Sequence, residues 1–355
     1  MPLTPSALND LVIATTRELS KGKWTQAAQT FQNYETMSKW FKEKKTAVDS
    51  GWGISRTIQL ALAGAAKHNS FADEDNPVIK DLLTQVTNPW VHAQTHWAYF
   101  YQEMLMNGGT NRIIDEIKVR SDSSMIDLAE ELENKAWLAP PTTTTEATLP
   151  RGVQYWITPS ATEGFNGTVP SGHTTVGGIN PTTYANWRNY TGTYSAFTKD
   201  GAVTPIVKAM WKTNFKSPVG KEEFYSDKGQ NFRLYCSWTT KRNLELIGEG
   251  QNENLGKDIA SMDGVTTIKG NPIIPLAVLE TYDTASSYNT SGRYPIFGIN
   301  HNTFYPVVLK GDVFRESKPI QLPQQHNAYA IYRDLTYNFL CVNRRSNFVL
   351  YTTAA

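Results

Sequence analysis

The stretch NPWVHAQTHWAYFYQEMLMNGG runs from Asn88 to Gly109. It carries two histidines four residues apart, His92 and His96, among five aromatic rings. Whether it is helix or strand decides its chemistry and its place in the fold. Val91, Ala93, Thr95, Trp97, Tyr99 and Tyr101 alternate with a polar set led by His92, Gln94 and His96. A period of two, built from aromatic and β-branched residues, predicts a strand. Residues four apart on a strand are separated by about 13 Å, so the two imidazoles cannot share one ion. A helical HxxxH would converge, but the glutamate of an HExxH site is absent. The histidines read as the polar face of a strand, and no metal is expected.

Towards the N-terminus, ISRTIQLALAG has strand character through Ile54, Thr57 and Ile58. It follows the turn signal Asp49–Gly53. Residues 63–77, AGAAKHNSFADEDNP, are small and polar and suit a loop tip, with Asp73, Glu74 and Asp75 as a solvated acidic cluster. Residues 52–101 therefore read as a two-stranded excursion. The preceding 47 or so residues have helical spacing at Leu8, Leu11, Val12, Thr15 and Leu19, continued by Tyr34, Met37, Trp40 and Phe41. That segment is too polar to bury a core of its own and reads as an arm lying on something else.

Towards the C-terminus, residues 110–137 form the strongest helical pattern, with an apolar stripe of Ile113, Ile117, Met125, Leu128, Leu132 and Ala136. Such a helix spans about 40 Å and, with one narrow stripe, behaves as a spine. LAPPTTTTEATLP (138–150) reads as a linker. Residues 151–195, rich in Gly, Thr, Asn and Trp, read as extended and loop-rich without a helix. Then come a helix over 201–215, a strand in NFRLYCSWTT, a helix in KRNLELIGEGQNE, and strands in IIPLAVLE and FYPVVLKGDVF. Tyr337–Val342 and Phe348–Thr352, flanking the polar turn Asn343–Asn347, predict a β-hairpin.

Composition narrows the function. Lys and Arg total 34 against 33 Asp and Glu, a net charge of +1, which gives no global field for nucleic acid or an anionic membrane. Ten Trp and seventeen Tyr exclude a disordered chain and require aromatic surface to be buried in cores or between subunits. Cys236 and Cys341 sit singly in apolar runs and read as buried, reduced thiols. No apolar leader and no stretch of about 20 apolar residues is present, so neither export nor a membrane span is expected, and the sequons at Asn166, Asn189 and Asn289 read as accidental. There is no GxSxG, HExxH, P-loop or GxGxxG; Ser171-Gly172-His173 and Arg344-Arg345 read as loop and solvated turn. No catalytic residue and no cofactor is expected.

The order of elements is more telling than any motif. The segments QEMLMNGGTNRIIDEI, DLAEELENKAW, RGVQYWITPSATEGFNGTVPSG, VGGINPTTYANWRN, IVKAMWKTNF and YRDLTYNFLCVNRRSNFVLY, in that order over roughly 85–355, resemble the major capsid proteins of tailed bacteriophages with the HK97-type α+β fold. The resemblance implies an N-terminal arm (1–51), an extended E-loop (52–101), a P-domain on the spine helix (102–140) completed by a C-terminal sheet (326–355), and an A-domain (141–325). It implies a structural, non-enzymatic subunit that self-assembles from pentamers and hexamers into an icosahedral shell around double-stranded DNA, in a virion assembled in the host cytoplasm. Its partners would be further copies of itself, a separate scaffolding protein unless the sequence is already mature, a portal, and a cement protein. Candidate inter-subunit contacts are Trp97, Tyr99 and Tyr101. Lys21, Lys23, Lys39, Lys42, Lys44 and Lys45 fit an inner face that meets DNA non-specifically. Some members cross-link subunits through Lys–Asn isopeptide bonds; neither Lys67 nor Lys80 is assigned to that chemistry. Two other classes remain open: an encapsulin-like compartment, which shares the fold, and a glycan-binding β-rich protein, suggested by the composition of 151–195.

Overall fold

The computed structural model describes residues 29–30, 33–64, 66–68, 80–106, 116–141, 148–215, 232–249, 266–284 and 294–352. The acidic tip, the first turn predicted for the spine helix, Lys21, Lys23 and Asn289 lie outside the described residues.

The described chain opens on a turn of π-helix, Thr36–Trp40, running into Phe41–Glu43. Strand β1 (Thr46–Val48) follows, then β2 (Gly53–Gln59), β3 (Leu83–Pro89) and β4 (Val91–Phe100). Helix α1 (Tyr101–Met106) precedes the spine, α2 (Glu116–Ala136), and a single helical turn, α3 (Val153–Trp156). Strands β5 (Gly164–Gly167) and β6 (Asn189–Tyr194) lead to helix α4 (Thr204–Thr213), β7 (Phe232–Cys236) and helix α5 (Trp238–Glu249). After β8 (Thr267–Ile268) and β9 (Asn271–Pro275) comes helix α6 (Ala277–Thr284). The remainder is β10 (Ile296–Asn300), β11 (Phe304–Leu309), β12 (Arg315–Glu316), β13 (Ile320–Leu322), β14 (Gln325–Cys341) and β15 (Phe348–Thr352).

These strands make three sheets. Strands β2 and β3 pair alone, from Gly53 opposite Pro89 to Gln59 opposite Leu83, as the predicted excursion requires. The six-stranded sheet is built on β14. One edge of β14 pairs with β4 from Val91–Tyr337 to Phe100–Ala328. The other edge takes β11, β12 and β13 in turn, and β1 adds to β11 in parallel. The seven-stranded sheet has the order β5-β6-β15-β10-β7-β9-β8.

Alternation made β4 a strand, as read from the sequence, but it extends the six-stranded sheet rather than the hairpin. Its odd face carries the buried Val91 and Trp97, and α2 crosses it. Arg120 of α2 donates to the Ala98 carbonyl at 3.2 Å and Arg333 of β14 to the Ser121 carbonyl at 2.8 Å, which ties helix to sheet.

Four expectations are corrected. Tyr337–Val342 and Phe348–Thr352 are not a hairpin: β14 belongs to the six-stranded sheet and β15 to the seven-stranded one. Both edges of β14 near its end are already occupied. β11 holds one; on the other, Asn88 of the excursion donates to the Phe339 carbonyl at 2.7 Å and Asn338 to the Pro89 carbonyl at 2.7 Å. In IIPLAVLE only the first half is strand, since Ala277 onward is helical. Residues 151–195 do hold a helix, the single turn α3. Finally, the arm does bury core residues: Trp40 is fully enclosed, with ring centroids 5.4 Å from Trp137, 5.7 Å from Phe304 and 5.9 Å from Phe339. That aromatic cluster fills the space between the sheets, where ring pairs add to simple area burial.

Candidate assembly surfaces

The two-stranded excursion is fixed at its base and open beyond it. Ile54 and Val86 bury their side chains, and Asn88 is buried where it reaches β14. The loop 169–188 supplies further anchors. Thr87 N–H donates to the Gly177 carbonyl at 2.9 Å, and Asn186 to the Leu60 carbonyl at 2.9 Å. Gly177 holds φ +62°, and a Cβ there would come within 2.7 Å of Val86 Cγ1 and 2.9 Å of the Trp156 ring. Three large apolar side chains stand in solvent, Trp52 at the base and Leu62 and Leu83 towards the tip, at 104%, 81% and 60% exposure. Exposed apolar groups mark an interaction site where they join into a patch, whereas single ones are ordinary surface.

The three residues named from the sequence fall in different environments. Trp97 is only 9% exposed and is enclosed within the subunit. Tyr99 is half-buried and stacks on Tyr329 across the β4–β14 pair at 5.8 Å. Tyr101 starts α1 instead of ending the strand and is 44% exposed, beside the exposed Leu105. Sequence reasoning missed Trp52, Leu62 and Leu83. Leu62 and Leu83 lie at the tip end of the hairpin, and Trp52 stands in the turn signal before β2.

His92 and His96 lie on β4 with their side chains on the polar face. His92 Nδ1 is 3.1 Å from Thr336 Oγ1, and its ring lies 3.7 Å from Asp312 and 3.5 Å from Asp334. Arg315 already pairs with both carboxylates, at 3.0 and 2.9 Å. His96 packs on Tyr332. Among the described residues no group of three or more His, Cys, Asp or Glu side chains could hold a metal.

Two buried polar nodes join the sheets, and neither was recognised as such in the sequence. Arg344, in the turn between β14 and β15, is fully buried. It donates to the carbonyls of Trp156 at 2.6 Å, Trp187 at 2.7 Å and Thr168 at 2.8 Å, and to Asn189 Oδ1 at 3.0 Å. Burial pushes its pKa down from 12.5 to about 10, so it remains charged at neutral pH. The second node joins the arm to the seven-stranded sheet. Glu35 accepts from Arg233 at 2.6 Å, and the Tyr235 hydroxyl meets His301 Nε2 at 2.7 Å and receives the Trp40 indole N–H at 3.1 Å. Cys236 and Cys341 are buried as expected, and burial pushes the Cys341 thiol up to about 12, far from a reactive thiolate.

No family model matches the sequence, and neither does any curated protein. Solved structures do. The capsid of the native GTA particle superposes with a TM-score of 0.58 over 96% of this chain and 95% of that one, at 8% identity. A structure from Gordonia phage Cozz gives 0.53 over 96% and 92% at 14% identity. The capsid structure of the cyanophage P-SCSP1u gives 0.52 over 100% and 97% at 10% identity. The fold is that of a phage capsid subunit. A capsid fold places no demand on an active site, and it gives the hairpin, the spine and the two sheets a common context. No helix among the described residues is long and apolar enough to cross a membrane.

Proposed function

We infer that this chain is a major capsid protein of HK97-type organisation, a structural and non-enzymatic subunit that self-assembles through pentamers and hexamers into an icosahedral shell around double-stranded DNA. What carries the reading is the likeness to a particle capsid along 96% of this chain and 95% of the other, with no large part of either left over. The subunit divides into an arm (1–51), an E-loop (52–101), a P-domain (102–140 and 326–355) and an A-domain (141–325). Six strands cross those bounds: β1, β4, β11, β12 and β13 all join the sheet built on β14, and β15 lies in the seven-stranded sheet. The shell would sit in the virion, be assembled in the host cytoplasm, and work with a scaffolding protein, a portal and a cement protein.

The physical support is the surface. A subunit that projects a two-stranded arm with solvated Trp52, Leu62 and Leu83 has left apolar area for something else to cover. Tyr101 and Tyr99 are the remaining candidates among the residues named from the sequence, with Trp97 backing them from inside. The glycan-binding alternative is not favoured, because Trp156, Trp187 and Tyr190 of the aromatic 151–195 stretch are buried, which leaves Tyr184 as an exposed ring there.

The test is assembly of the full chain, with and without co-expressed scaffold, read by light scattering after size exclusion and by negative-stain imaging. Closed particles of megadalton mass are expected. Trp52→Ser should leave the subunit's melting temperature unchanged and reduce particle yield. A chain that stays monomeric at every concentration with scaffold present would refute the reading.

A further inference from the structure

Glu133 lies on the inward side of α2 and is fully buried. The groups that face its oxygens are neutral: the Thr36 backbone N–H at 2.8 Å, the Trp137 indole N–H at 3.3 Å, and the Thr36 hydroxyl beside them. One turn earlier, Glu130 takes the Thr30 N–H at 2.7 Å and the Tyr34 hydroxyl at 3.0 Å. Across the arm, Glu35 is held by Arg233 at 2.6 Å and Lys39 at 3.6 Å. Three carboxyl groups thus share the seam between arm and spine. The deepest of them has neutral donors only, while Trp40 and Phe41 just beyond are locked into the core.

We propose that the end of the arm, Tyr34 to Thr36, is a proton-operated latch, seated on the spine helix while Glu133 is neutral and peeling away about Trp40 as it ionises. Peeling lets water reach a carboxylate that the docked state keeps dry, and a dry charge is the costly one. The direction agrees with the environment of Glu133. Burial, helped by the nearby Glu35, pushes its pKa up from 4.5 to about 7 against the hydrogen bonds from Thr36 and Trp137. A carboxyl whose value is raised in the docked state takes up a proton on docking. Its contribution to docking is complete below about 4.5 and is lost as pH rises through about 7.

The other groups around the seam do not mimic this. Tyr235 from β7 is buried with its pKa raised well above the ordinary value, and Tyr337 from β14 is raised likewise, so both hydroxyls stay protonated. His301, between β10 and β11, is pushed down to about 3 by burial and by Arg233 and Lys44, so it stays neutral. Arg233 stays charged and also lies 3.9 Å from Glu43. Glu131 and Lys135 pair with each other on the outer side of α2.

The inference concerns the single subunit and is independent of whether shells form. Hydrogen exchange of the full unassembled chain, corrected for intrinsic rate, would compare peptides covering residues 29–38 with peptides covering β14. From pH 6 to pH 8 the protection of 29–38 should fall roughly tenfold while β14 stays unchanged. Glu133→Gln, neutral at every pH, should abolish that step, and Glu130→Gln should retain it. The proposal is overturned if wild-type protection is flat over this range, if both peptides lose it together, or if Glu133→Gln keeps the step. Should Glu133→Gln fail to fold, the two wild-type peptides decide alone.

Discussion

Replacing Arg344 with methionine should destabilise the subunit by about 2–4 kcal/mol, through the buried acceptors it would leave unpaired. The estimate can be built from the node itself. Methionine keeps most of the side-chain volume but donates nothing. The carbonyls of Trp156, Trp187 and Thr168 lose donors at 2.6, 2.7 and 2.8 Å. Asn189 Oδ1 does not count as lost, because the Thr158 N–H also reaches it at 3.1 Å. The Thr168 carbonyl likewise keeps the Thr158 hydroxyl at 3.2 Å, so two stranded carbonyls at about 1–3 kcal/mol each give a loss of roughly 2–6 kcal/mol. Against this, removing the charge relieves a strain already visible in the guanidinium, whose pKa falls from 12.5 to about 10. That relief draws the net loss into the lower part of this range. The stranded carbonyls win. Arg344→Lys keeps the charge and lacks the planar fork, so it should fall between wild type and methionine. Urea denaturation of the unassembled chain at pH 7, followed by far-ultraviolet circular dichroism, gives the free energies. A methionine variant within 1 kcal/mol of wild type would refute the claim that Arg344 holds these carbonyls.

Two further outcomes follow from the geometry of the excursion and of β4. Gly177→Ala must place a Cβ at φ +62° against Val86 and Trp156, so it should lower stability by about 1–3 kcal/mol in the same titration; an unchanged midpoint would mean that the hairpin base is looser than drawn. The double change His92→Gln and His96→Gln should leave the unfolding free energy within about 0.5 kcal/mol of wild type, because the histidines lie on the exposed face and Arg315 already pairs with Asp312 and Asp334. Chelators should change nothing, and a metal ion that co-purifies with wild type and is lost in the double variant would contradict the strand geometry.

What could be read from the sequence divides by distance along the chain. Strand β4, the spine α2 and helices α4 and α5 were legible because their periodicity is written in neighbouring residues. The failures all concern partners far away. Arg344 in an Asn-Arg-Arg-Ser-Asn turn looks solvated; only the fold brings Trp156 and Trp187 around it, more than 150 positions earlier in the chain. Glu133 looks like one more acid in a polar helix until Thr36 closes over it from 97 residues away. The hairpin expected at the C-terminus is locally sound, and it fails because Asn88 and β11 already occupy the edges of β14. AVLE is apolar enough for either state, so its length alone could not separate strand from helix.

The same division explains why the comparisons agree only at the level of fold. Identities of 8–14% leave too few matching residues for a family model, yet coverage stays above 90% of both chains. A pattern of periodicities survives such divergence because any apolar residue of suitable size serves at a core position. A polar node does not, because its donors and acceptors must meet one to one. Nodes such as Arg344 with its three carbonyls, or Glu133 with Thr36, are therefore where this subunit's own physical properties reside. The capsid fold rests on the shared pattern, while the stability of the sheet junction and the proposed seating of the arm rest on residues that the pattern leaves open.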